Sequence, residues 1–151
     1  MGNDIAGNFI GVLLAFALTV IMPFTIVAVE TDMMERRLVV NNVSEFIDGV
    51  VDSRVVSDSE LENLNLELAS YGMTLDYEIK RYAQSVDPDP TKEGSYTTTY
   101  MLQDDNRHYE QGDKISVHVE SIGYSSTISL ARRLTGVFIK DFDVTLTARV
   151  R

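Results

Sequence analysis

The chain contains no cysteine. This absence excludes disulfide bonds, thiol catalysis, iron–sulfur clusters, covalent haem attachment and cysteine-based zinc sites. Basic residues are also scarce, because 13 Lys and Arg stand against 23 Asp and Glu, for a formal net charge of −10. Nucleic-acid binding needs a basic surface that neutralises phosphates, so this acidic composition argues against nucleic acid as the main partner.

Charge is missing altogether from residues 5–29, whereas residues 30–151 carry all the bases and every acid except Asp4. As a helix at ~1.5 Å per residue, this apolar run would be ~37 Å long, enough to cross a ~30 Å hydrocarbon layer. No Lys or Arg precedes the run, and it exceeds the ~7–15 residue core of a secretory signal. We therefore expect it to remain in the working protein as a transmembrane helix.

Small residues recur every four positions in this run, at Gly7, Gly11 and Ala15. On a helix they form one ridge, which would let a second helix approach closely, although glycine and alanine are also common in membrane spans generally. Pro23 has no N–H for the carbonyl of Thr19, so a kink or an opened turn is predicted near residues 19–23. The freed carbonyl would need another partner, such as the Thr19 hydroxyl or a neighbouring helix.

Asp4 stands just before the apolar run. Aspartate is a good helix N-cap, and a carboxylate suits the positive end of a helix. A second interpretation is that Asp4 pairs with the terminal amine of a neighbouring subunit inside an apolar assembly. The two roles are compatible.

Beyond Glu30 the apolar residues recur at spacings near 3.6 as far as Val51, which predicts one long helix over about residues 4–56 with an interruption near Pro23. A capping box, Ser57 with Glu60 or Ser59 with Glu62, predicts a second helix over about residues 60–71, ended by Gly72. The predicted domains are a helical region 1–56 and a globular head 57–151.

From Met73 onward the apolar period changes to two, which is typical of half-buried antiparallel strands. Four strands are predicted, and each carries one set of residues on one face: Leu75, Tyr77 and Ile79; Tyr96, Thr98, Tyr100 and Leu102; Ile115, Val117 and Val119; and Val144, Leu146, Ala148 and Val150. Residues 121–137, which include Ile128, Leu130, Leu134 and Val137, fit either a short helix or a loop that packs on the sheet. The predicted fold class is α+β, with the amphipathic part of the long helix covering the sheet.

Chemistry-bearing residues form no site by their spacing. His108 and His118 are interpreted as surface residues, and the acidic turns around Asp87, Asp89 and Glu93 and around residues 104–113 lack the EF-hand spacing for calcium. No phosphate loop, nucleophile elbow or pair of catalytic acids is present in the sequence. We therefore predict that the protein is not an enzyme, with no catalytic, cofactor or metal site.

The order of parts resembles the type IV pilin superfamily, which includes pseudopilins, Tad-type pilins and TadE-like proteins. The resemblance covers the whole chain in architecture, and in motif mainly residues 1–30: an apolar helix with Gly7, Gly11, Ala15 and Pro23. Family members usually carry glutamate at the fifth mature position, where this chain has Ile5 and the nearest carboxylate is Asp4. The step from Tyr109 through Gly112 and Asp113 into a strand also looks like sheet regions of TadE-like proteins.

The resemblance implies a pilin-like fold and a structural subunit of a cell-surface filament, polymerised through its N-terminal helices. It also implies a membrane-inserted stage before assembly, a pilus assembly machinery and a prepilin peptidase that removes a basic leader. The alternative is a single-span accessory protein or pseudopilin that binds protein partners without forming a long fibre. If Met1 is the initiator, Arg36 and Arg37 would instead place the head in the cytoplasm.

Overall fold

A computed structural model of the protein describes residues 2–89, 91, 94–136 and 140–151, with side chains from residue 5 onward. Helices and strands follow one another in an α+β arrangement, a long apolar N-terminal helix leading into a small antiparallel sheet. The elements are α1 (Gly2–Phe16), a π-helical turn (Ala17–Ile21), α2 (Met22–Ser53), α3 (Asp58–Ala69), β1 (Leu75–Pro88), β2 (Tyr96–Gln103), β3 (Lys114–Ser121), α4 (Ser126–Thr135) and β4 (Asp143–Arg149).

The predicted long helix is confirmed, and its interruption is the π-turn that ends just before Pro23. Its C-terminus lies at Ser53, three residues before the predicted Val56. Arg54 takes a left-handed conformation at φ 62° and donates its N–H to Val50 O at 2.7 Å. The chain then turns to pair with residues 107–109, where Val56 N donates to Arg107 O at 2.8 Å. This long-range pairing decides where the helix ends.

Helix α3 begins with the predicted capping box. The Ser57 hydroxyl accepts from Glu60 N, and the Glu60 carboxylate accepts from Ser57 N at 2.9 Å. The prediction that Gly72 ends this helix is wrong, because the helix stops at Ala69 and Gly72 has no positive φ. The Ser70 hydroxyl instead donates to the Glu67 carbonyl at 2.6 Å, so a side chain satisfies one of the free carbonyls at this end.

The sheet has the order β2-β1-β3-β4, with every pair antiparallel. Strand β1 is long enough to have two partners: residues 75–82 pair with β3, and residues 81–88 pair with β2. On β3, alternate side chains are fully buried, namely Ile115, Val117 and Val119. The predicted alternation on β3 is therefore confirmed.

The main core lies between the sheet and the second half of α2. One stripe of α2 is buried there together with two leucines of α3: Val39, Val43, Ile47, Val50, Leu64 and Leu68. Fully burying one such side chain contributes ~1.5–3 kcal/mol, so this stripe accounts for much of the stability of the head. The core also fixes α2 to the sheet, and the apolar segment leaves the head as an extension of the same helix.

Strand β2 differs from its prediction. Tyr96, Thr98, Tyr100 and Leu102 do share a face, but that face is not buried; Tyr96 is 70% exposed and Leu102 57%. The reason is that β2 pairs only with the far half of β1, beyond the part that packs on α2. We call residues 81–103 the hairpin arm, because its two strands extend past the sheet core.

Residues 126–135 form a helix, which settles the ambiguity of this segment. Ser125 caps α4 through its hydroxyl, and Gly136 ends it in a left-handed conformation at φ 70°. Ile128 and Ala131 are buried against Ala28 of α2, with Phe24 and Tyr124 beside them. The alternative of a loop that packs on the sheet is therefore wrong: Ile128 packs on the long helix, Leu130 and Leu134 are about half exposed, and Val137 lies outside the described residues.

Candidate functional site

The most extensive candidate surface is the apolar N-terminal helix. Its large side chains project away from the rest of the chain from Ile5, which is 73% exposed, to Val27, which is 60% exposed. In its most apolar stretch of 18 residues, only 6% of the residues are buried. By length and composition this helix could span a membrane, and within the described structure it has almost no protein contact of its own before Phe24.

The predicted ridge of small residues lies on this exposed surface. Gly7, Gly11 and Ala15 follow one another at single-turn spacing in α1. Beyond the adjacent residues and the local helix backbone, a Cβ placed on Gly7 or Gly11 would meet no atom within 4 Å. Both glycines therefore have open space beside them, and no contact within the chain requires the absence of a side chain there.

The π-turn explains how the helix continues past Pro23. Met22 N donates to Ala17 O, which is five residues back, and Pro23 then occupies the first turn of α2, where a missing N–H is tolerated. The Thr19 hydroxyl donates to Ala15 O at 2.6 Å, and Thr25 donates to Ile21 O at 2.8 Å. The prediction that the Thr19 hydroxyl donates to the carbonyl of Thr19 is therefore wrong.

Asp4 lies in the first turn of α1, two residues after the helix begins at Gly2. It is therefore not the residue before the helix, and the predicted N-cap position is corrected. A carboxylate in the first turn still suits the positive end of the helix dipole. Its side chain is outside the described part of the structure, so pairing with a neighbouring amine stays a prediction.

A buried ion pair anchors the hairpin arm, and sequence reasoning did not find it. Asp113 is 3% exposed and accepts from Arg81 Nε at 2.8 Å, from Gln84 N at 3.1 Å and from Glu110 N at 3.0 Å. Burial alone would raise the pKa of Asp113, but these hydrogen bonds and the Arg81 charge hold it below its ordinary value. The only hint in the sequence was a glycine before the acid, and Gly112 does adopt φ 98°.

Tyr109 completes this anchor. Its ring lies 5.8 Å from the Arg81 guanidinium carbon, and its residue is 5% exposed. Burial raises the pKa of the Tyr109 hydroxyl to about 12. The Tyr109 hydroxyl therefore stays neutral, and Asp113 is the group that balances the charge of Arg81.

The hairpin arm presents a second apolar surface. The register places Tyr82, Val86, Tyr96, Tyr100 and Leu102 on the face opposite the core. Lys114 lies over the Tyr100 ring, with Nζ 3.7 Å from its centroid. The odd-numbered face is more polar, apart from Met101, which is 55% exposed.

The histidines and acidic turns lie apart from these surfaces. His118 contacts the Thr145 hydroxyl at 3.0 Å, and His108 lies 3.7 Å from Asp105. In the acidic turn after β2, Asn106 and Asp113 contact different partners: Asn106 donates to Ile79 O, and Asp113 pairs with Arg81. In the other acidic turn, Glu93 is outside the described residues. Among the residues that the structure describes, no group of three His, Asp or Glu side chains is placed to hold a metal ion.

Comparisons with known proteins found no matching family model, no matching curated protein and no matching solved structure.

Proposed function

We propose that this protein is the structural subunit of a type IV pilus-like filament, polymerised through its apolar N-terminal helix. The observation that carries the proposal is the division of the chain. The apolar helix extends away from the core that the second half of α2 forms with the head, and most of its side chains from Ile5 to Val27 remain exposed. A continuous apolar surface of this size is not stable in water, so it needs lipid or protein around it.

Both environments have a place in the proposal. Before assembly, the helix spans the membrane as a single segment. During assembly it exchanges lipid for the helices of other subunits, and the open ridge at Gly7, Gly11 and Ala15 lets their backbones approach closely. Pilus assembly proteins and a prepilin peptidase would be its partners, as the resemblance to pilins implies.

Charge supports the same arrangement. All the bases and nearly all the acids lie from residue 30 onward, so in a bundle of N-terminal helices the acidic heads face the solvent. A net charge of −10 per subunit would keep a long fibre soluble at the cell surface and limit side-by-side association.

A second candidate function is favoured by the hairpin arm. Its exposed apolar face, with Tyr96 and Leu102, offers a protein-binding surface that does not depend on polymerisation. A single-span accessory protein or pseudopilin would use such a surface while its helix stays in the membrane.

Gly11→Leu distinguishes the two functions. Leucine is a better helix former than glycine, and the space beside the Cβ position of Gly11 is open, so insertion and folding should be unchanged. Close helix packing should fail, and we expect at least about a tenfold loss of surface filaments, counted by electron microscopy at equal membrane abundance.

The matched control is Val12→Leu, which adds bulk one residue away on an exposed side chain that is already large. It should leave the filament count unchanged. Equal filament numbers for Gly11→Leu and the original chain would contradict helix packing through this ridge. A chain that inserts in the membrane and forms no filaments under any condition would favour the accessory protein.

A further inference from the structure

Among the residues that the structure describes, segment 122–136 is the part of the head nearest to the apolar end of the long helix. It leaves β3 after Ser121, and its helix α4 packs on α2 beside Phe24 and Ala28. Lys140, shortly before β4, accepts from Arg36 through its carbonyl at 2.7 Å. Arg36 is eight residues further along α2 than Ala28, so the contacts of α4 lie ~12 Å closer to the apolar run than the contact of Lys140.

The contacts of α4 on α2 lie at the C-terminal end of the apolar run. Residues 5–24 are 20 helical residues, which cover the ~30 Å of a bilayer core. When this stretch spans the membrane, Phe24 lies at its boundary. Helix α4 then lies at the level of the lipid headgroups, because Phe24 and Ala28 are its contacts on α2.

The composition of this segment is the reverse of the rest of the head. Residues 122–136 contain two bases, Arg132 and Arg133, and no acid, in a chain with a net charge of −10. Arg133 is exposed, and Arg132 lies over the Tyr124 ring at 4.2 Å from its centroid. A tyrosine at this level is also typical of membrane interfaces.

The apolar face of α4 is wider than the part that α2 covers. Ile128 and Ala131 are buried on α2, whereas Leu130 is 49% exposed and Leu134 is 51% exposed. Ile122, just before the helix, is 68% exposed. Exposed leucines flanked by bases on a short amphipathic helix are the pattern of a segment that lies in a membrane surface.

We propose that α4 is an interfacial helix that docks on an anionic lipid surface while the subunit is held in the membrane. Leu130 and Leu134 enter the headgroup boundary, and Arg133 binds lipid phosphates. This docking fixes the height and the tilt of the head before polymerisation. The inference rests on the membrane-inserted stage of the proposed function and does not require that filaments form.

Tryptophan fluorescence tests the docking directly, because the chain has no tryptophan of its own. Leu134→Trp is made in the full chain and reconstituted in vesicles of phosphatidylcholine with phosphatidylglycerol. Leu14→Trp reports on the span, and Val86→Trp reports on the hairpin arm; all three side chains are more than half exposed, so each tolerates the change. Quenching by lipids brominated on the acyl chain is compared with quenching by aqueous iodide.

We expect strong lipid quenching at position 14, intermediate lipid quenching at 134 with weak iodide quenching, and iodide quenching alone at 86. A base near an anionic surface raises binding about fivefold, so Arg133→Glu should weaken docking at least about fivefold. Lipid quenching of the indole at position 134 should then be lost. Lys80→Glu, a charge reversal on the sheet, should change nothing.

Iodide quenching without lipid quenching at 134, with position 14 in lipid, would overturn the docking and leave the proposed function intact. The indole emission at position 134 could instead change with the number of protein molecules per vesicle and not with the phosphatidylglycerol content. That result would also overturn the docking, in favour of contact between two heads. Loss of lipid quenching at both 14 and 134 would overturn the membrane-inserted stage together with the docking. Lipid quenching at both positions in a chain that forms no filaments would support the docking and contradict only the filament.

Discussion

Asparagine at position 113 should destabilise the head substantially, because it removes the only carboxylate paired with Arg81 among the residues that the structure describes. Arg81 and Asp113 meet at 2.7 Å with side chains 13% and 4% exposed. Breaking a buried pair by removing one partner typically costs 3–5 kcal/mol. Because Arg81 keeps some solvent contact, we expect about 3 kcal/mol, a large fraction of the ~5–15 kcal/mol of a typical domain.

The same substitution should remove a pH dependence. The folded-state pKa of Asp113 is lower than its ordinary value of 3.8, so the unfolded chain binds its proton first as the pH falls. The stabilisation is therefore complete above pH 3.8 and is lost as the pH falls from there through the lower, folded-state pKa. The difference in unfolding free energy between the original chain and Asp113→Asn should shrink over this acid range.

Urea unfolding of the full chain in uncharged detergent, followed by circular dichroism, measures both quantities. Lys80→Met is the matched control, since Lys80 is adjacent on β1 and pairs with Glu78 at 2.6 Å on the exposed face. Exposed pairs contribute little, so this control should unfold at the same urea concentration as the original chain. Equal stability of Asp113→Asn at neutral pH, or a difference that persists unchanged into acid, would refute the buried-pair argument.

Three further changes test other parts of the molecule. A chain that begins at Phe24 should be soluble and should resist trypsin at Arg132 and Arg133. A chain that begins at Glu30 loses the Phe24 and Ala28 contacts of α4, so trypsin should cleave it faster at these two arginines. If the Asp4 charge pairs with a neighbouring subunit's amine, Asp4→Asn should abolish filaments and Asp4→Glu should partly restore them. Full filament yield with asparagine at equal membrane abundance would leave Asp4 with a local helix role only. Ser57→Ala removes one half of the capping box and should lower the unfolding free energy by about 1 kcal/mol, measured by urea titration; an unchanged midpoint would contradict a stabilising cap.

Local signals predicted much of this fold. The 3.6-residue period of α2, the capping box at Ser57 and the alternation on β3 all depend on residues close in sequence, and all were confirmed. Proline likewise gave the position of the π-turn to within a few residues. These features follow from backbone chemistry and from the burial of one face, which a single sequence displays directly.

Long-range partners were the part that could not be predicted. The end of α2 depends on pairing between Val56 and Arg107, and the exposure of β2 depends on how far β1 extends past β3. Asp113 looked like one of several acids in a turn until the fold placed Arg81 beside it. For the candidate site, the sequence indicated the apolar helix, but the placement of α4 against Phe24 and Ala28 required the tertiary structure.

The π-turn also sets the angle about the helix axis between the apolar helix and the hairpin arm. It amounts to one extra residue in an otherwise continuous helix, and one residue turns a helix by ~100°. Because α2 enters the core without a flexible joint, the azimuth of Gly7 and Gly11 is locked to the direction in which the hairpin arm points. Deleting one residue from Ala17–Ile21 would leave the surface around Gly7 and Gly11 and the hairpin arm intact. It would rotate the first about the helix axis relative to the second. In a helical fibre that angle would determine which neighbour each arm meets.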